Sequence, residues 1–130
     1  MDLRYNRLAT FPEALDTRKA VIVNASRNYI AHWPQSATFE QAAVLDLSYN
    51  DLEEVPDTIS SARKLQQLYL CNNKLLLLPE IVRKAPLVDL FLADNLFTCA
   101  LALVPRPCLL HTNHGNAEST PRPAETCQRP

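Results

Sequence analysis

Apolar residues recur around a series of asparagines at offsets that hold from copy to copy. The asparagines are Asn6, Asn28, Asn50, Asn73 and Asn95, spaced by 22, 22, 23 and 22 residues. Five residues before them stand Met1, Val23, Leu45, Leu68 and Leu90, and three before them Leu3, Ala25, Leu47, Leu70 and Leu92. Two residues after come Leu8, Ile30, Leu52, Leu75 and Phe97; five after come Phe11, Trp33, Val55, Leu78 and Ala100. The next position is Pro12, Pro34, Pro56 and Pro79, with Leu101 in the fifth unit, and nine after stand Leu15, Ala37, Ile59 and Val82.

Each offset has a mechanical reading. Apolar residues at −5 and −3 alternate with other side chains, which is the period of a short strand with one buried face. The asparagine stands where the chain turns. Its amide can satisfy backbone groups of its own and the neighbouring turn, so Asn6, Asn28, Asn50, Asn73 and Asn95 are expected to form a structural ladder. The residue at +2 re-enters the core, and proline fixes the backbone as the chain starts back. One such unit cannot bury its apolar edge alone, whereas three or more stacked units share a continuous core. The prolines inside each unit argue against a helix bundle.

The clearest copy, Leu65-Gln-Gln-Leu-Tyr-Leu-Cys-Asn-Asn-Lys-Leu-Leu-Leu-Leu-Pro79, resembles the leucine-rich-repeat family, of the LxxLxLxxNxLxxLP type found in many intracellular scaffolds. The resemblance runs over residues 1–98 as about five units, the first partial. It implies an α/β repeat solenoid: an arc with a short-stranded parallel sheet on its concave face and irregular or short helical turns on its convex face. The second unit departs from the pattern with Ala20 and Ala25 where leucine is usual, so weaker packing is expected there, with Trp33 supplying volume. After Phe97 the pattern fails. Residues 99–110 stay apolar and are expected to form an irregular C-terminal cap, and residues 111–130 read as a disordered, Pro-rich tail. The first strand begins at Met1 with no capping segment before it, which suits either a ragged self-cap or a piece of a longer array.

Residues between the core positions of a strand face the other side of the sheet. The −4 column reads Asp2, Asn24, Asp46, Tyr69 and Phe91; the −6 column reads Ile22, Val44, Gln67 and Asp89; the −2 column reads Arg4, Ser26, Ser48, Cys71 and Ala93. Strands lie about 4.8 Å apart, which sets Tyr69 beside Phe91. Exposed aromatics on such a face are candidate hot spots, though cross-strand aromatic pairs also stabilise sheets that bind nothing. The candidate partner-binding residues are Asn24, Asp46, Gln67, Tyr69, Asp89 and Phe91. Tyr5, Arg27, Tyr49, Asn72 and Asp94, on the rim, extend that surface. The aspartates suit a basic or amphipathic guest.

Composition removes other classes. Thirteen basic and fourteen acidic residues leave a net charge of −1, without the basic excess of a nucleic-acid or anionic-membrane binder. One glycine among 130 residues, Gly115, leaves no glycine-cradled phosphate loop. No run of about 18 apolar residues predicts a membrane span, and residues 1–15 do not read as a secretory signal. The four cysteines, Cys71, Cys99, Cys108 and Cys127, are therefore expected as free thiols in a reducing compartment, cytoplasmic or nuclear, with Cys71 on the exposed sheet face. Cys108, His111, His114 and Cys127 have the ligand types for zinc but not a recognised spacing, and no metal is expected. Asn24-Ala-Ser26 has the form of a glycosylation sequon and is expected to stay unmodified in such a compartment.

These readings predict a non-catalytic interaction module, an adaptor, scaffold or regulatory subunit, that binds another protein on its concave face. No cofactor, catalytic residue, nucleic acid, membrane or small-molecule substrate is expected. The alternatives are the recognition part of a larger leucine-rich-repeat protein, such as a phosphatase regulator or ubiquitin-ligase receptor, and a truncated product with no function of its own.

Overall fold

The computed structural model describes residues 1–12, 15–33, 37–80, 82 and 87–97. The segments expected as a cap and as a tail lie outside the described residues. Four three-residue strands, β1 (Ile22–Asn24), β2 (Val44–Asp46), β3 (Gln67–Tyr69) and β4 (Asp89–Phe91), form one parallel sheet in sequential order. A 3-10 helix at Asp57–Ser61 lies between β2 and β3. The register follows the repeat: Val23, Leu45, Leu68 and Leu90 are aligned, as are Asn24, Asp46, Tyr69 and Phe91. The first unit joins through a parallel bridge between Asp2 and Asn24, with the Leu3 amide donating to the Asn24 carbonyl at 2.7 Å.

The −5 residues Val23, Leu45 and Leu68 and the −3 residues Ala25, Leu47 and Leu70 are fully buried, as are Ile30, Leu52 and Leu75 at +2. Deleting side chains of this kind costs about 2–5 kcal/mol each, so the inner face of the sheet is the main source of stability. The proline offset has a local cause. The carbonyls of Pro12, Pro56 and Pro79 accept from the amides of Leu15, Ile59 and Val82 at 3.2, 3.2 and 3.1 Å. Each proline thus opens a single turn that swings the residue three positions on toward the core; Ile59 and Val82 are buried there. A second turn precedes β1, β2 and β3, with Thr17, Phe39 and Ala62 accepting from Ala20, Ala42 and Leu65. The extra residue of the 23-residue unit falls between Ile59 and Ala62, where the 3-10 helix takes it up.

The alanine-rich part of the core is filled from elsewhere. Phe39 packs edge-on against both Phe11 and Trp33, each pair with ring centroids 6.0 Å apart. Phe11, Trp33 and Phe39 are all buried and take the volume that Ala20, Ala25 and Ala42 leave open. Phe39 belongs to none of the apolar columns found in the sequence.

Candidate functional site

The turns carry the most regular polar network. The Asn50 side chain accepts from the Ile30 amide at 3.0 Å and donates to the Ala25 and Leu47 carbonyls at 3.1 Å each. Asn28 accepts from Leu8 and donates to Leu3 and Ala25. Asn73 accepts from Leu52 and donates to Leu47 and Leu70, and Asn95 accepts from Leu75 and donates to Leu70 and Leu92. Asn6 bonds within its own turn, to the Leu3 and Arg4 carbonyls, and is exposed.

On the opposite face of the sheet from the core, the parallel register groups the candidate residues in two adjoining sets. Asn24 donates through Nδ2 to Asp46 Oδ2 at 3.1 Å, and Gln67 donates through Nε2 to Asp89 Oδ2 at 2.8 Å. Tyr69 and Phe91 lie stacked, centroids 4.3 Å apart and planes 5° from parallel. The register sets Asp46 beside Tyr69, so an aromatic pair follows an amide–carboxylate pair along the same row. All of these side chains are half-buried except Phe91, which is buried at 8% exposure. The expected exposure of Phe91 is thereby corrected. Alternation fixes which way a side chain points but not what covers it, and the Tyr69 ring lies over one face of Phe91.

A second feature of this face is a tight turn at the end of successive strands. The carboxylate or amide oxygen at −4 accepts from the backbone amide two residues on: Asp2 from Arg4 at 3.1 Å, Asn24 from Ser26 at 3.0 Å, and Asp46 from Ser48 at 3.0 Å. Such turns are the usual habit of Asx side chains. The Ser26 hydroxyl also donates to Asn24 Oδ1 at 2.7 Å. Arg4 clamps Asp2 through its guanidinium as well, and this hydrogen bond, followed by that from the Arg4 amide, lowers the Asp2 carboxyl from 3.8 to about 2. In the fourth and fifth units Tyr69 and Phe91 occupy the −4 position, where no Asx turn is possible.

Cys71 corrects a further expectation. It is fully buried and disulfide-bonded rather than an exposed free thiol, its partner lying outside the described residues. Free thiols are expected of a reducing compartment, itself read from residues 1–15 lacking a secretory pattern, and Cys71 is not one of them. The other cysteines, His111 and His114 lie outside the described residues. Among the described residues, no group of three or more His, Cys, Asp or Glu is placed to hold a metal ion, and no helix is long and apolar enough to cross a membrane.

Two comparisons bear on this arrangement. The family model described as Leucine Rich Repeat matches residues 64–85, the span that runs through β3, its asparagine turn and Pro79. No curated protein matches the chain. Residues 64–85 are thus matched as a leucine-rich repeat, and the same offsets, register and asparagine bonds recur in the units on either side of it.

Proposed function

We propose that the stacked units form a curved solenoid, that the outer face of the sheet is its concave side, and that this face docks another protein without catalysis. The observation that supports this reading is a contrast within the chain. Along the inner face the same apolar types recur from strand to strand, as core packing demands. Along the outer face Asn24, Asp46, Tyr69 and Phe91 occupy equivalent places with unlike chemistry. The fold does not require that variety, and a binding surface does. Among the described residues, neither Asp46 nor Asp89 forms a salt bridge. Their flanking of the Tyr69–Phe91 pair suits a guest that brings positive charge beside an apolar side chain, such as a basic or amphipathic segment.

Affinity capture with the whole chain, run beside a variant carrying Asp46→Asn, Tyr69→Ala and Asp89→Asn, tests the reading. The expected result is a protein retained by the parent and lost by the variant, with both folded by circular dichroism. Equal retention by a folded variant overturns the assignment of this face.

A further inference from the structure

The residue just before each ladder asparagine is Tyr5, Arg27, Tyr49, Asn72 or Asp94, and all five have φ between 54° and 58°. The amides of Tyr5, Arg27, Tyr49 and Asn72 donate in turn to the carbonyls of Ser26, Ser48, Cys71 and Ala93 in the next unit. Identical backbone twist in successive units sends these side chains out in parallel. In the first three units the result is a sandwich. The Arg27 guanidinium carbon lies 5.2 Å from the Tyr5 ring centroid and 4.3 Å from that of Tyr49. Two strand spacings amount to roughly 9.6 Å, the room a flat guanidinium needs between two rings.

The sandwich occupies the two faces of Arg27 and leaves its edge, where the N–H donors lie. Arg4 and Arg18 each have an aspartate two residues earlier, Asp2 and Asp16, which takes their donors. Two residues before Arg27 stands Ala25, buried in the core. Among the described residues the Arg27 side chain has no hydrogen-bond or ion-pair partner. The stack is open to solvent, with Tyr5 at 67% exposure and Arg27 exposed.

We propose that the Tyr5–Arg27–Tyr49 stack is a docking point for the carboxylate side chains of an acidic segment of a partner protein. A guanidinium edge presents paired N–H donors that match a carboxylate two-to-two. Clamping it between two rings holds the fork in place before binding, which lowers the ordering cost of the contact. This site lies on the rim, uses none of the outer-face candidate residues and does not depend on their role.

The probe is a fluorescein-labelled hexaglutamate peptide, titrated with the whole chain at low salt and followed by anisotropy. Saturable binding is expected. Arg27→Lys keeps the charge but not the fork, and should weaken binding by about fivefold or more. Tyr49→Leu should weaken it as well, by freeing the guanidinium. Arg7→Gln removes an exposed arginine outside the stack and should change affinity by less than about twofold. The variant with Asp46→Asn, Tyr69→Ala and Asp89→Asn should bind the peptide like the parent, which separates this site from the sheet face. Thermal melts establish that each variant is folded. Absence of binding, equal binding by a folded Arg27→Lys, or an Arg7→Gln loss as large as that of Arg27→Lys overturns the proposal.

Discussion

The side chain of Asn50 accepts from the amide of Ile30, twenty residues earlier, at 3.0 Å, while its Nδ2 donates to carbonyls on both sides of the boundary between their units. The amide and carbonyls that it joins face a region too buried for water to replace it. Asn50→Ala leaves these backbone groups unpaired, and an orphaned buried group costs about 1–3 kcal/mol. The expected loss is about 3 kcal/mol or more in urea unfolding. Asn6→Ala removes bonds within one exposed turn only and should cost about 1 kcal/mol or less. Equal losses at the two positions would mean that the inter-unit bonds contribute nothing.

The repeat was legible because its evidence is a count. Leucine, asparagine and proline return at fixed offsets, each for a mechanical reason, and outward positions follow from the alternation of a strand. Features that depend on a single unit were not legible. Phe39 shares its place with Thr17 and Ala62, so no column of like residues announces it. The Arg27 sandwich needs the positive φ shared by Tyr5, Arg27 and Tyr49, which residue types of that size do not suggest. The bonding of Cys71 depends on which cysteine comes near, and sequence spacing does not fix that distance.

The aromatic cluster predicts opposite outcomes at two neighbouring rings. Phe39 touches both Phe11 and Trp33 edge-on, and each such pair contributes about 0.5–1.5 kcal/mol beyond its burial. Phe39→Leu should therefore destabilise by about 1–3 kcal/mol. Trp33 is buried, and among the described residues its indole Nε1 has no hydrogen-bond partner. Trp33→Phe loses volume but also removes a buried donor whose isolation costs about 1–3 kcal/mol. Its stability should stay within about 1 kcal/mol of the parent. Chemical denaturation followed by far-ultraviolet circular dichroism measures both, and a Trp33→Phe loss as large as that of Phe39→Leu contradicts this account of the indole.

Asn72 tests the conformational demand of the turns. It sits at φ 54°, with its amide donating to the Ala93 carbonyl at 2.9 Å. Asparagine tolerates this region, glycine occupies it without a Cβ clash, and a β-branched residue resists it. Asn72→Gly should leave the thermal midpoint nearly unchanged. Asn72→Val should lower stability by about 1–2 kcal/mol. A valine variant as stable as the glycine variant would show that the turn relaxes out of the left-handed region.

Asp2 gives a prediction in pH. Its carboxyl is held at about 2 rather than 3.8, first by the hydrogen bond from the Arg4 side chain and then by that from the Arg4 amide. A folded-state value below the unfolded one means that the ionised form supports the fold. That support is complete above the ordinary carboxylate range and fades as pH falls from about 4 toward 2. Asp16 is shifted in the same direction by Arg18, so both pairs weaken together in acid. The pairs are exposed, and salt should reduce their contribution. Carbon-detected NMR titration should place the Asp2 midpoint near 2 in the parent. Arg4→Gln should raise it, but not as far as 3.8, because the backbone amide at position 4 still donates to Oδ1. A midpoint that does not move would assign the whole shift to that backbone turn, and the Arg4 side chain would then contribute nothing to the acid sensitivity of the first unit.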